Sequence, residues 1–197
     1  MNRENILTDV ERGYNIGVSV CLETISSFTL FNALCKEKCY MTESIHADQI
    51  SGTKKIRNAV ILASYLVLRK EKEVLLLRRF QTGYEDGKYS LPAGHVDAGE
   101  TCTDAMIREA HEEIGITLDP ENIRVAYVMH RKALDSERID IFFVAEHWEG
   151  EVCNREPNKC DNLSWFPSSV LPDNIIPYIR QALICIDKGV VYSEHGW

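Results

Sequence analysis

Glu109, Glu112 and Glu113 stand at i, i+3 and i+4 in the run 94–116, which reads GHVDAGETCTDAMIREAHEEIGI. On a helix that spacing brings three carboxylates to one side, where they repel each other and cost helix stability. A hard divalent cation removes the conflict, because Mg²⁺ prefers oxygen ligands and usually shares its shell with substrate phosphates. The chemistry such a cluster suggests is metal-assisted work on a phosphate. A solvated acidic face, with Arg108–Glu112 as a surface pair, is the plainer reading of REAHEE taken alone. The preceding segment shifts the balance. Gly94 and Gly99 permit tight turns, and Glu100 stands just ahead of the helix start.

The helix that must carry these acids has both ends written in the sequence. Thr101 is the expected N-cap, with Asp104 three residues on as a shorter version of the capping box. Gly115 sits where a C′ glycine ends a helix. Met106, Ala110 and Ile114, with Ile107 beside them, form an apolar stripe to bury. Cys102 falls in the first turn, where the helix dipole lowers a thiol pKa; a packed cysteine is the plainer reading.

Gly94, Glu100, Arg108, Glu109, Glu112, Glu113, Gly115 and Ile116 also follow a recognisable pattern. The string G-x5-E-x7-R-E-A-H-E-E-I-G-I resembles the signature of the Nudix hydrolases. It departs at Ala110, where that family usually carries a larger aliphatic residue. The resemblance begins after about Lys55. It implies an α/β fold, an α/β/α sandwich around a mixed β-sheet, here with an N-terminal extension. It also implies a metal site for Mg²⁺ (or Mn²⁺) held by Glu109, Glu112 and Glu113, with the backbone carbonyl of Ala93 as a further ligand. Arg108 is then expected to pair with Glu100 and hold the loop against the helix, preorganising the ligands. The base that activates water is Glu109, Glu113 or an acid from another loop.

Two further local matches resemble the MutT-type branch, which converts nucleoside triphosphates such as 8-oxo-dGTP to the monophosphate and pyrophosphate. WEGE (148–151) followed by Glu156 resembles the segment that supplies an extra acidic metal ligand; a surface turn is the other reading of Glu156. PDN (172–174) resembles the segment whose Asn reads the oxidised purine edge. Asn174 suits a base edge because an amide both donates and accepts, or it caps the last helix. The spacing from it to Pro177 departs from MutT by one residue. Arg78 and Arg79 are expected near the phosphate path, since a guanidinium fork fits phosphate well; surface arginines at a strand end are the alternative. Trp165, Tyr84 and Phe80 are candidate stacking residues, although most aromatics near a sheet are core. Asp140 reads as an outward-facing strand acid. The expected activity is hydrolysis of a nucleoside diphosphate linked to X, most of all a canonical or oxidised nucleoside triphosphate. The alternatives are a nucleotide-sugar or ADP-ribose pyrophosphatase, or a nucleotide-binding sensor. Sensors usually lack box carboxylates, and all are present here.

The rest of the chain frames this site. The 197 residues divide in expectation into an extension and linker, 1–54, partly helical, and a Nudix domain, 55–197. Residues 1–40 read as packed helices, a dimer contact or a loose extension. They are too polar for a membrane span, and Glu4, Asp9 and Glu11 are wrong for a signal peptide. A net charge of −8 argues against long nucleic acid as a partner, which needs a basic patch. A small nucleotide held through metal ions is unaffected by that charge. The seven cysteines are irregularly spaced and read as reduced cytoplasmic thiols. The family resemblance also admits a homodimer. Apolar runs at 59–69 and 74–79 read as strands buried on both faces, joined by a charged turn. Residues 81–88 read as a loop, 89–92 as the strand entering the box, and 125–130, 139–147 and 163–166 as further strands. A closing helix is expected over 175–187, with Pro177 in its first turn.

Overall fold

The runs too apolar to leave one face in water become the middle of a mixed sheet. β1 (Val60–Lys70) and β6 (Glu137–Ala145) lie parallel over nine paired positions, Val60↔Glu137 to Leu68↔Ala145. β5 (Ile123–Lys132) runs antiparallel to β6, and β8 (Tyr192–His195) lies parallel to β5 at the edge. On the other side of β1, β2 (Glu73–Arg79) pairs antiparallel with β3 (Tyr89–Ser90) and β7 (Cys160–Pro167). β4 (Ala93–His95) pairs with β1. This computed structural model describes residues 59–197, so the expectations for residues 1–54, the extension and linker, lie outside the described residues.

Strand alternation divides the apolar residues between two layers. Leu66 and Leu68 of β1 and Phe143 and Ala145 of β6 meet Met106, Ala110 and Ile114 of helix α1 (Cys102–Ile114). Tyr65 and Val67, with Phe142 and Val144, meet Tyr178, Ile179, Ala182 and Leu183 of helix α2 (Pro177–Asp187). The result is the expected α/β/α sandwich. Helix α2 begins at Pro177, two residues later than expected. Ile175 and Ile176 are buried ahead of it as extended chain, and proline suits the first helical position because it has no N–H to leave unpaired.

One irregularity positions the cleft. β1 and β2 pair at their shared turn, at Arg69↔Val74 and Lys70↔Glu73. Beyond the turn the chain from Tyr89 to His95 crosses between them. Tyr89 and Ser90 bond β2, while Ala93 to His95 bond β1. Pro92 lies at the crossing, and its carbonyl accepts from Leu66 N at 2.8 Å. β4 and β8 are not legible as strands beforehand. AGH is three residues inside a turn-rich motif, and YSEH has neither an apolar run nor an alternating pattern.

Candidate active site

Helix α1 is fixed at both ends by its own residues. Thr101 Oγ1 accepts from Asp104 N at 3.1 Å, and Thr101 N donates back to Asp104 Oδ2 at 3.4 Å. Gly115 takes the left-handed conformation, φ 76°, and its N–H returns to the His111 carbonyl. Met106, Ala110 and Ile114 are buried, as the stripe predicts. Ala110 sits fully enclosed in this layer, which accommodates the small residue. With that face packed, Glu109 and Glu113 are turned toward the crossing strand and Glu112 toward solvent.

Arg108 ties the preceding loop to the helix. Its Nη2 donates to Glu100 Oε1 at 2.7 Å and to the His95 carbonyl at 3.2 Å, while Nε donates to Glu100 Oε2 at 3.2 Å. Glu100 Oε1 also accepts from Asp97 N at 2.7 Å. The Arg108 fork and the Asp97 amide hold the Glu100 carboxyl below its ordinary value, and Glu100 and Glu109 together raise that of Arg108. The expected Arg108–Glu100 pairing is therefore present. Arg108 Nη1 further donates to Glu109 Oε1 at 2.6 Å. Gly94 makes room for this acid, because a Cβ there would lie 1.8 Å from Glu109 Oε1.

The acids open onto a cleft of about 470 Å³ beside the Tyr89–His95 crossing, which Glu109, Glu112, Glu113 and Glu156 all line. Glu113 Oε2 accepts from Ala93 N at 2.9 Å. Burial pushes the Glu113 carboxyl up to about 8, and the like charges of Glu109 and Glu156 add to the shift, against the Ala93 amide and Arg79. A buried carboxyl raised further by two acidic neighbours marks a place where negative charge gathers. Among the described residues no three metal-ligating side chains close on a single point. Arg108 bonds Glu109 and Glu112, and Lys159 bonds Glu156 at 2.7 Å. The donor set is all oxygen and fits a hard divalent cation.

The other expected site residues are divided by strand geometry. Arg79 lines the cleft, with Nε donating to the Tyr84 carbonyl, and Tyr84 lines it too. Arg78 does not. Neighbours on a strand point to opposite faces, and Arg78 is held by Asp161 at 2.7 and 3.0 Å. Trp165 packs on Trp148, ring centroids 5.9 Å apart, in the α1 layer rather than the cleft. Asn174 neither lines the cleft nor caps α2. Its amide donates to the Gly87 carbonyl at 2.8 Å and ties down the 81–88 loop. Asp140 is fully buried against Arg131, not outward, because its alternation follows Phe142 toward the α2 layer. The cleft also gathers Tyr65, Tyr178, His95, Arg138 and Lys159. None of these is marked by a local motif. Lys159, three residues after Glu156, carries the nearest thing to a signal.

Comparison with known proteins bears on the same residues. A family profile described as NUDIX domain matches residues 60–183. The chain is 28% identical over 95 residues to the 8-oxo-dGTP diphosphatase of Escherichia coli (strain K12), covering 48% of this chain and 72% of that protein. It is 31% identical over 107 residues to the NAD-capped RNA hydrolase NudC of Vibrio parahaemolyticus, covering 54% of this chain but only 38% of that one. Among solved structures, the MutT NUDIX hydrolase from Burkholderia pseudomallei superposes with a TM-score of 0.60 at 26% identity, over 64% of this chain and 97% of that one. The MutT protein from Methanosarcina mazei Go1 gives 0.59 at 25% identity, over 68% and 96%.

Proposed function

The chain belongs to the Nudix hydrolase family, as a pyrophosphohydrolase, and from that premise we propose that it hydrolyses a canonical or oxidised nucleoside triphosphate to the monophosphate and pyrophosphate. The observation that carries the reading is the meeting of Glu109, Glu113 and Glu156 with Arg79 and Lys159 around one cleft. In this reading Glu109, Glu112, Glu113, Glu156 and the Ala93 carbonyl hold Mg²⁺ or Mn²⁺. The ion supplies charge neutralisation at the phosphoryl oxygens and a more acidic water. Arg79 and Lys159 bind oxygens of the phosphate chain. Glu109 or Glu113 takes the proton of the attacking water. Arg108 and Glu100 keep α1 and the 94–100 loop in register and touch no substrate.

Among the described residues no helix is long and apolar enough to cross a membrane. We infer a cytoplasmic setting from the seven irregularly spaced cysteines, which read as reduced thiols. The test is a hydrolysis screen with Mg²⁺ and Mn²⁺ over canonical and oxidised nucleoside triphosphates, nucleotide sugars, ADP-ribose and dinucleoside polyphosphates. A triphosphate preference is expected, with pyrophosphate released. Glu112→Gln and Glu113→Gln should each lower turnover about 100-fold or more with the fold intact by circular dichroism. Undiminished turnover in both would remove the assigned roles, and a clear preference for a nucleotide sugar would replace the substrate class.

A further inference from the structure

The same cleft has a second part of its wall that is built without carboxylates. Tyr65 of β1 and Tyr178 in the first turn of α2 both line it, each 6% exposed. Their hydroxyls lie 3.4 Å apart. The ring faces are spoken for. Tyr65 stacks on Phe142 with centroids 4.8 Å apart and 17° between planes. The Arg131 guanidinium lies over the Tyr178 ring, 4.1 Å from its centroid, and His195 of β8 meets that ring edge-on at 6.1 Å. What the pair can offer a ligand is its hydroxyl ends.

Behind the tyrosines, Arg131 and Asp140 form an ion pair at 3% and 0% exposure. A buried pair of this kind is seldom a net stabiliser over apolar packing. Here its charges cancel, so the wall carries none, while the guanidinium fixes the plane of Tyr178. Burial pushes the Tyr65 phenol up to about 12 and that of Tyr178 further still, so both remain protonated. When two hydroxyls pair, one proton lies between them and the other is free to donate. A neutral wall with one free O–H competes poorly for phosphate with Arg79 and Lys159. It suits an uncharged acceptor.

We propose that the Tyr65–Tyr178 hydroxyl pair is the specificity-determining element of the cleft and donates a hydrogen bond to a carbonyl oxygen on the edge of the substrate's base. The proposal rests on the nucleoside-triphosphate reading above. Arg131 and Asp140 act through Tyr178 and are positioning residues. A guanine-type base presents a carbonyl that accepts this proton, whereas adenine presents an amino group there, which the pair can accept only by reversing its internal bond and turning the free O–H away from the ligand.

The experiment compares kcat and KM of the parent with Tyr65→Phe, Tyr178→Phe and the double variant on dGTP, 8-oxo-dGTP and dATP. Phenylalanine keeps the rings and removes the hydroxyls. The parent should prefer the guanine nucleotides, and the double variant should lose about tenfold of that preference, through KM with kcat little changed. A preference that survives in the double variant, or a parent that favours dATP, overturns the proposal. A parent inert on these three but active on a pyrimidine triphosphate also overturns the proposal, whereas one inert on every nucleoside triphosphate overturns the underlying substrate reading instead. A tyrosine difference spectrum of the parent with dGMP and with dAMP checks the contact without substitution or turnover. A larger change with dGMP supports the assignment, and equal changes overturn it.

Discussion

Helix α1 has its N-terminus closed by a reciprocal Thr101–Asp104 box and its C-terminus turned aside by Gly115, whereas α2 starts after Ile176 with no side-chain cap bond at all. The difference tracks what each presents. α2 lays Tyr178, Ile179, Ala182 and Leu183 into the core, and the bonds that tie it, such as Arg180 to the Pro172 carbonyl and Gln181 to Ser193, reach out from its body rather than close its N-terminus. α1 buries a comparable stripe but must also keep acids together at a cleft, where burial is incomplete and like charges push apart. Its geometry is fixed by directional bonds instead: the caps, the Arg108 fork, and the close seat of Glu109 against Gly94. Where a surface has to hold unfavourable charge, local hydrogen bonding takes over the role that packing plays elsewhere.

The largest expected effect tests the packed side. Leu183→Ala should lower unfolding free energy by about 3 kcal/mol in urea titrations, while turnover per folded molecule stays near that of the parent. A loss under about 1 kcal/mol would show that α2 is not held by burial. The bonded side is tested next by Gly94→Ala. The added Cβ falls 1.8 Å from Glu109 Oε1, so the acid must move and turnover should drop about 100-fold, with little change in melting temperature. Parent-like kinetics would mean that the seat of Glu109 is not critical. The smallest effect is for Thr101→Ala, about 1 kcal/mol of stability by the same titration. No measurable loss would show that the box merely accompanies the fold.

The same contrast governs what can be read from the sequence. α1 is legible because its caps, its stripe and its acids are all local to one turn or the next. The central strands are legible from continuous apolarity at Val60–Lys70 and Glu73–Arg79. Side-chain direction is harder. Arg78 and Arg79 cannot both face the cleft, and only the pairing of β2 with β7 decides which one does. Asp140 looks outward until β5 brings Arg131 over it. Trp165 belongs to the α1 layer through its register with Leu75. Tyr178 reaches the cleft from 113 residues beyond Tyr65, a distance that no local pattern spans. β8 has no signal of its own and depends on an edge that β5 leaves open.

Because β1 and β2 are joined at one turn and bridged by the Tyr89–His95 crossing, the sheet behaves as a book opened at its spine. Glu109 and Glu113 sit against one leaf, while Arg79 and Glu156 sit on or beside the other. A polyanion and its cation, seated between them, act as a staple across the pages. Changing the length of the spine at Lys70–Glu73 would therefore alter the gauge of the opening without touching any residue that reads or cuts the substrate.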